Sequence, residues 1–134
     1  MVEMFRGSGT ATITPFKDNK LDEESLRNLL DHQSNNGTKA IIVVGTTGES
    51  PTVTEKEHNK IPAIAVEHIG GRLQVIAGTG HNSTDESIKY SKHAKKAGVD
   101  ALLIVAPYYN KPTQDGVYAH FEAIAKAVDL PIIG

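Results

Sequence analysis

The chain has 134 residues, of which 39% are hydrophobic and 22% are charged, and its formal net charge is −2 with neutral histidines. This length gives room for one domain, residues 1–134, and the near-neutral charge disfavours a nucleic-acid or anionic-membrane partner. The sequence has no cysteine, which excludes disulfides, thiolate zinc sites and cysteine nucleophiles, and no apolar run approaches the roughly 20 residues of a membrane span. Residues 1–6 include an early acid and no apolar core, so we expect no signal peptide and a cytoplasmic protein.

Five apolar segments predict five β-strands. Two of them, at residues 40–44 and 101–105, are continuously apolar, which is typical of parallel strands buried on both faces. The segments recur at the spacing of one strand–helix unit, roughly 30 residues. In chain order they are residues 10–14, 40–44, 73–77, 101–105 and 130–133.

The segments between the strands carry helix signals. Asp22, Thr54, Ser83 and Thr113 are residue types that cap helix N-termini, and both Thr54 and Ser83 have a glutamate three residues later, as in a capping box. Two glycines, Gly37 and Gly98, predict helix ends.

Pro62 fits this pattern badly. It falls inside the second helical segment, where a proline removes a backbone hydrogen bond and costs about 3 kcal/mol. We expect either a kink at Pro62 or a helix that restarts there.

The resulting βαβαβαβαβ pattern predicts parallel strands joined by helical crossovers. Two architectures agree with it: a flavodoxin-like doubly wound sheet, and a piece of a (β/α)8 barrel, which as a whole has about 250 residues. Composition and periodicity alone favour the first, because five strands complete it at this length.

The loops that follow the strands are where either architecture places a ligand. Residues 45–51 combine two glycines with the adjacent Thr46 and Thr47, and such a loop suits a small carboxylate or phosphate. A helix-capping turn would have the same composition. Residues 106–112 follow the fourth predicted strand, and this loop contains Tyr108 and Tyr109. Because neighbouring residues point in opposite directions, we expect at most one of these phenols to face a central pocket.

Other motifs are weak or missing. The Gly-x-Gly at residues 78–80 lacks the third glycine of a dinucleotide fingerprint. The six histidines include no pair spaced four apart on a helix, so no zincin-type metal site is predicted. There is no nucleophile elbow and no P-loop.

Four strand-end sequences are more specific together than any one of them is alone. They are residues 9–16 (Gly-Thr-Ala-Thr-Ile-Thr-Pro-Phe), 45–50 (Gly-Thr-Thr-Gly-Glu-Ser), 76–80 (Ile-Ala-Gly-Thr-Gly) and 107–112 (Pro-Tyr-Tyr-Asn-Lys-Pro). In this order and spacing they closely resemble the dihydrodipicolinate (4-hydroxy-tetrahydrodipicolinate) synthases of the N-acetylneuraminate lyase family of class I aldolases. The resemblance runs along essentially all 134 residues. It implies an α/β (β/α)8 TIM barrel, of which this chain covers about the first half, βα units 1–4 plus strand 5.

The resemblance also implies a reaction, a step of lysine and diaminopimelate biosynthesis that needs no cofactor. In the family a lysine forms a Schiff base with pyruvate, and the enamine attacks L-aspartate-4-semialdehyde. Thr47 would bind the pyruvate carboxylate, while Thr46 and Tyr109 would be catalytic members of a hydroxyl proton relay. Tyr108 would insert across the dimer interface of a homo-oligomer.

A lysine effector is a further implication, because some members of the family are inhibited by lysine at the dimer interface. The chain departs from the sensitive pattern at Pro51 and Glu55. It matches that site at Ser50, His58, Asn82, Glu86 and Tyr108.

The family barrel continues beyond residue 134, and the resemblance places the Schiff-base lysine, an arginine and a third relay tyrosine in that continuation. Lys39 enters its strand at the wrong end, and Lys111 lies in a solvated loop, where an amine is a poor nucleophile. We therefore expect this polypeptide to be inactive alone. The alternatives are a half-barrel that serves as a non-catalytic assembly module, with unpaired edge strands that favour association, or a small-carboxylate binder.

Overall fold

The computed structural model describes residues 4–134. The prediction that residues 1–6 contain no signal peptide therefore falls partly outside the described residues. The fold alternates strands and helices, with one short 3-10 helix at Ser50–Thr52. In chain order the other elements are β1 (Gly9–Ala11), β2 (Phe16–Lys17), β3 (Lys20–Leu21), α1 (Glu23–Asn35), β4 (Ala40–Val43), α2 (Glu55–Ile69), β5 (Gln74–Gly78), α3 (Thr84–Ala97), β6 (Ala101–Leu103), α4 (Gln114–Ala127) and β7 (Ile132–Ile133).

Five of the strands form one parallel sheet in the order β1-β4-β5-β6-β7, which is their order along the chain. A flavodoxin-like sheet would have the order 2-1-3-4-5, because its crossovers reverse direction at a switch point. The flavodoxin-like alternative is therefore wrong. Parallel strands that lie side by side in their order along the chain, with a helix connecting each strand to the next, are the arrangement of a (β/α)8 barrel, and this chain supplies about half of one.

All five predicted strands are confirmed, although most are shorter than their apolar segments. β1 ends at Ala11 rather than at residue 14, and β7 begins at Ile132 rather than at residue 130. The sequence reasoning missed the β2–β3 hairpin. Its two-residue turn consists of Asp18 and Asn19, which have positive φ angles of 52° and 57°, as in the turns that favour Asn, Asp and Gly.

The predicted N-caps are confirmed at all four helices. The Thr54 side chain accepts the amide hydrogen of Glu57, whose carboxylate accepts the Thr54 amide hydrogen in return, a complete capping box. At α3 only half of the box is present, because Ser83 accepts from the Glu86 amide but the Glu86 carboxylate lies near Lys89. The first helix, α1, ends at Asn35, and its C-cap residue, Asn36, directly precedes Gly37.

The second helix, α2, continues without interruption through Pro62. The predicted restart at this residue is therefore wrong. Packing offsets the cost of the proline, because α2 buries an apolar face that consists of Ile61, Pro62, Ile64, Ala65 and Ile69.

The main hydrophobic core lies between the helices and one face of the sheet. It includes Leu26 of α1, Ile61 of α2 and Ile124 of α4. A smaller cluster around Ile76 lies on the other face and contains no helical residue. Ile13 and Val105 are 58% and 47% exposed, so the open sheet leaves apolar side chains uncovered. No helix within residues 4–134 is long and apolar enough to cross a membrane.

Candidate functional site

A cavity of about 540 Å³ opens at the carboxyl ends of the strands. The turns after β4, β5 and β6 all contribute to its wall, and Gly134, which follows β7, closes one side. The lining residues are Val44, Gly45, Thr46, Ser50, Pro51, Gly78, Gly80, Leu103, Ile104, Val105, Tyr108 and Gly134. Three of the four strand-end sequences that the sequence analysis singled out therefore converge on one site, whereas residues 9–16 contribute nothing to the cavity wall.

A second cavity, of about 320 Å³, lies at the amino ends of the strands. It is lined by Lys39, Arg72 and Asp100 among other residues. In barrels of this kind ligands bind at the carboxyl ends, so the larger cavity is the candidate site.

The turn after β4 is held in a strained backbone conformation. The buried β-branched residue Val44 has a φ of 49°, and Glu49 has a φ of 55°. Such conformations cost of order 1–3 kcal/mol each and are found at functional sites. The Thr14 hydroxyl donates to the Gly48 carbonyl at 2.6 Å, and the Glu49 amide donates to the Thr46 carbonyl at 3.0 Å. These contacts fix the turn from both sides.

Thr46 and Thr47 are both exposed in this turn, and Thr46 lines the cavity. Neither hydroxyl has a hydrogen-bond partner in the protein within residues 4–134. Both hydroxyls are therefore unpaired, but only Thr46, and not Thr47, belongs to the cavity wall.

Glycines allow the neighbouring turns to approach each other closely. A Cβ on Gly78 would lie 2.7 Å from the Gly45 Cα and would also clash with the Val44 carbonyl oxygen. A Cβ on Gly80 would lie 2.8 Å from Val105 Cγ1. The floor of the cavity thus requires glycine at both positions, because any side chain there would clash with the neighbouring turn.

A buried hydroxyl network anchors the end of β5 to α3. The Thr79 and Ser91 hydroxyl oxygens are 2.8 Å apart, and the Ser87 hydroxyl donates to the Thr79 carbonyl at 2.8 Å. All three residues are at most 1% exposed. The sequence reasoning missed this network, because small hydroxyl residues on a helix carry no signal of what they face.

The two adjacent tyrosines are separated as expected. Tyr108 lines the cavity and is 44% exposed, whereas Tyr109 is 91% exposed and has a φ of 68°. Two side-chain amides hold their loop: Asn110 donates to the Asn82 carbonyl at 2.9 Å, and Asn82 donates to Asn110 Oδ1 at 3.0 Å. The structure thus brings Thr46 and Tyr108 to one cavity but leaves Tyr109 in solvent.

The predicted effector residues surround the amino ends of α2 and α3. Ser50 and Tyr108 line the cavity, and Glu86 lies 3.9 Å from Lys89, which also binds Glu55 at 2.9 Å. Behind them a chain of rings leads inward from Tyr108 through His81 and Tyr90 to His58. The successive centroid distances are 6.2 Å, 6.4 Å and 4.1 Å.

Burial and neighbouring groups shift the pKa values of His58, Tyr90 and Lys89 in this region. Burial lowers the pKa of His58 from 6.5 to about 4, and burial raises the pKa of the Tyr90 phenol, as do the Glu86 and Glu55 carboxylates. The hydrogen bond to Glu55 raises the pKa of Lys89. His58 is therefore a neutral ring at pH 7. The sequence reasoning named His58 and Glu86 but missed Tyr90 and His81, which the fold places between them.

The cavity wall contains no lysine among the described residues. Lys39 lies at the amino ends of the strands and lines the smaller cavity. Lys111 lies in the exposed loop after β6 with a φ of 50°. The site therefore offers hydroxyls and a phenol to a ligand but no amine nucleophile.

A comparison with models of known protein families shows which family the chain belongs to. The model of the "Dihydrodipicolinate synthetase family" matches residues 4–133. The chain belongs to the dihydrodipicolinate synthetase family.

The 4-hydroxy-tetrahydrodipicolinate synthase of Dechloromonas aromatica is 58% identical over 97% of the chain and 45% of its own length. The chloride-inhibited dihydrodipicolinate synthase of Acinetobacter baumannii, solved with pyruvate, superposes with a TM-score of 0.93 at 46% identity, over 96% of this chain and 45% of that one. The Cyanidioschyzon merolae enzyme, solved with lysine bound, superposes with a TM-score of 0.90 at 46% identity, over 93% and 43%. The chain thus spans less than half the length of these dihydrodipicolinate synthases.

Proposed function

We propose that the chain provides the pyruvate-binding half of a 4-hydroxy-tetrahydrodipicolinate synthase, a lyase of lysine and diaminopimelate biosynthesis. The observation that carries the proposal is the convergence of the strained Thr46-Thr47 turn and Tyr108 on one cavity. Membership of the dihydrodipicolinate synthetase family supports it. In the whole enzyme, pyruvate would form a Schiff base with a lysine and condense with L-aspartate-4-semialdehyde.

The hydroxyls of the site have separate proposed roles. Thr47 binds the pyruvate carboxylate, because its hydroxyl is exposed in the turn directly after Thr46. Thr46 and Tyr109 are the catalytic pair that carries protons during imine formation. Tyr109 is 91% exposed and lies outside the cavity wall, so its place in this relay rests on the resemblance to the family. The complex of the Acinetobacter baumannii relative with pyruvate supports the choice of ligand.

The 134-residue chain is expected to bind pyruvate reversibly and not to form a covalent adduct with it. The cavity wall contains no lysine within the described residues, and imine formation requires an amine. The measurement is an NMR titration with pyruvate, followed by borohydride reduction and mass spectrometry. Thr47→Val should weaken binding about tenfold, the value of one hydrogen bond to a charged group. Ser34→Ala, which removes a hydroxyl near the end of α1 and away from this turn, is the control.

An adduct on this chain would overturn the proposal that it lacks the nucleophile. An absence of pyruvate binding would favour the second candidate, a non-catalytic half-barrel that assembles into a homo-oligomer. The exposed side chains of Ile13 and Val105 favour that candidate, because they leave the open sheet with an uncovered apolar surface.

Lysine is the proposed effector of the cluster formed by Ser50, His58, Asn82, Glu86 and Tyr108. The Glu86 carboxylate, which lies 3.9 Å from the Lys89 ammonium, would hold the ammonium group of the effector. The lysine-bound structure of the Cyanidioschyzon merolae relative supports this ligand. Calorimetry with millimolar lysine should record binding heat that Glu86→Gln reduces, whereas heat that Glu86→Gln leaves unchanged would contradict the assignment.

A further inference from the structure

One of the four strand-end sequences has no part in the cavity wall. Residues 9–16 comprise β1 and the start of the β2–β3 hairpin, and none of them lines the cavity. Two threonines of this segment are nevertheless buried, Thr12 at 3% exposure and Thr14 at 5%. The Thr12 hydroxyl donates to the Ile42 carbonyl at 3.1 Å. The Thr14 hydroxyl donates to the Gly48 carbonyl at 2.6 Å, so it ties this segment to the turn after β4.

The two carbonyls that accept these hydroxyls differ in their other partners. The Ile42 carbonyl also accepts the Thr12 amide hydrogen at 2.9 Å, so it keeps a donor without the Thr12 hydroxyl. Gly48 is buried, and within residues 4–134 the Thr14 hydroxyl is the only donor to its carbonyl. Loss of the Thr14 hydroxyl would therefore leave a buried carbonyl oxygen unpaired, which is the costly way to lose a hydrogen bond.

The Gly48–Glu49 peptide unit is held at both of its polar atoms. Its carbonyl accepts from Thr14, and its amide donates to the Thr46 carbonyl at 3.0 Å, which closes the turn at residues 46–49. Rotation of this unit changes ψ of Gly48 and φ of Glu49 together and breaks both bonds. The same rotation would take Glu49 out of the left-handed region, where its φ is 55° and a residue other than glycine is strained. Two hydrogen bonds thus hold a peptide orientation that backbone strain opposes.

We propose that Thr14 is a positioning residue: its hydroxyl holds the Gly48–Glu49 peptide unit in the strained orientation and so keeps the Thr46-Thr47 turn in its binding geometry. Strained backbone persists only where the surroundings over-determine it, and the Thr14 bond is one of the two that do so here. The consequence for pyruvate binding rests on the proposed function, whereas the orientation of the peptide unit does not.

The test compares Thr14→Val, Thr14→Ser and Thr12→Val in the 134-residue chain. Valine removes the hydroxyl and keeps a branched side chain, serine keeps the hydroxyl, and Thr12→Val removes a buried hydroxyl whose acceptor retains an amide donor. The readout is the nuclear Overhauser effect (NOE) between the amide hydrogen and the Hα of Glu49, because these atoms are closer at positive φ than at negative φ. We expect this NOE to weaken in Thr14→Val alone. An unchanged NOE in Thr14→Val, or an equal loss in Thr12→Val, would overturn the proposal.

Glu49→Gly provides a second test that separates peptide orientation from general stability. Glycine adopts a positive φ without strain, so the strain that opposes the peptide orientation disappears. We expect Thr14→Val to lower the urea midpoint less in the Glu49→Gly background than in the wild-type background. Equal decreases in the two backgrounds would overturn the proposal. Should Thr14→Val not fold by itself, the double variant is expected to fold, and failure of both to fold would also overturn the proposal.

Pyruvate binding gives the functional readout. Thr14→Val should weaken binding about tenfold in the NMR titration, the result expected if only about a tenth of the chains keep the binding geometry, and Thr14→Ser should restore it. Full affinity in a Thr14→Val chain whose Glu49 NOE is weakened would overturn the positioning role. An absence of pyruvate binding in the wild-type chain would contradict the proposed function instead, and the NOE comparison would still decide the role of Thr14.

Discussion

Substitution of Gly78 by alanine is expected to lower the free energy of unfolding by about 3–5 kcal/mol, among the largest effects of a single residue in this chain. The added Cβ would lie 2.7 Å from the Gly45 Cα and 2.8 Å from the Gly45 nitrogen, and it would also clash with the Val44 carbonyl oxygen. All three are backbone atoms, which cannot move away by a change of rotamer. The turn that carries Thr46 would therefore have to leave its position. Urea denaturation, read as the shift in midpoint, measures the loss.

Gly45→Ala is the matched control, because it adds the same methyl group in the turn that Gly78 contacts. Its Cβ would lie 3.6 Å from Ile42 Cγ2 and 3.7 Å from Leu103 Cδ2, which are ordinary van der Waals distances to flexible side chains. We expect a change of less than about 1 kcal/mol. A Gly78→Ala chain as stable as the Gly45→Ala chain would show that β5 and the β4 turn are not packed as described.

A fall in pH from 7 to 4.5 is expected to cost the folded chain about 2–3 kcal/mol through His58. Burial lowers the pKa of this ring from 6.5 to about 4. Between these values the unfolded chain binds a proton that the folded chain does not, so stability rises with pH across this window. Burial also lowers the pKa of His120, which adds an effect of the same sign. Unfolding free energies from urea titrations at several pH values measure the slope.

His58→Phe should flatten this slope, since it removes the titrating group and keeps an apolar ring against Tyr90. His93→Gln is the control, because His93 is exposed in the folded chain. The hydrogen-bonded carboxylates of Asp31 and Glu57 have lowered pKa values. Their stabilisation is lost only as pH falls below the ordinary carboxylate range, which separates it from the histidine window. An unchanged slope in His58→Phe would contradict the neutral, buried state of the ring.

Local patterns in the sequence determined the elements and much of the site. The continuously apolar segments predicted the five strands, and residues such as Asp22 and Thr54 predicted the helix starts, because capping depends on neighbours within three residues. The Gly-Thr-Thr-Gly turn and the tyrosine pair marked the strand ends that line the cavity. Their resemblance to dihydrodipicolinate synthases also corrected the fold that length alone favoured.

Only the tertiary structure decided how these parts meet. The sequential order of the strands excluded the doubly wound sheet, and packing of the apolar face of α2 carried the helix through Pro62. The tertiary structure also placed Tyr90 and His81 between His58 and Tyr108. It brought Tyr108 rather than Tyr109 to the cavity wall. Strand order, ring contacts and burial depend on residues far apart in the chain, whereas propensity and capping act between near neighbours.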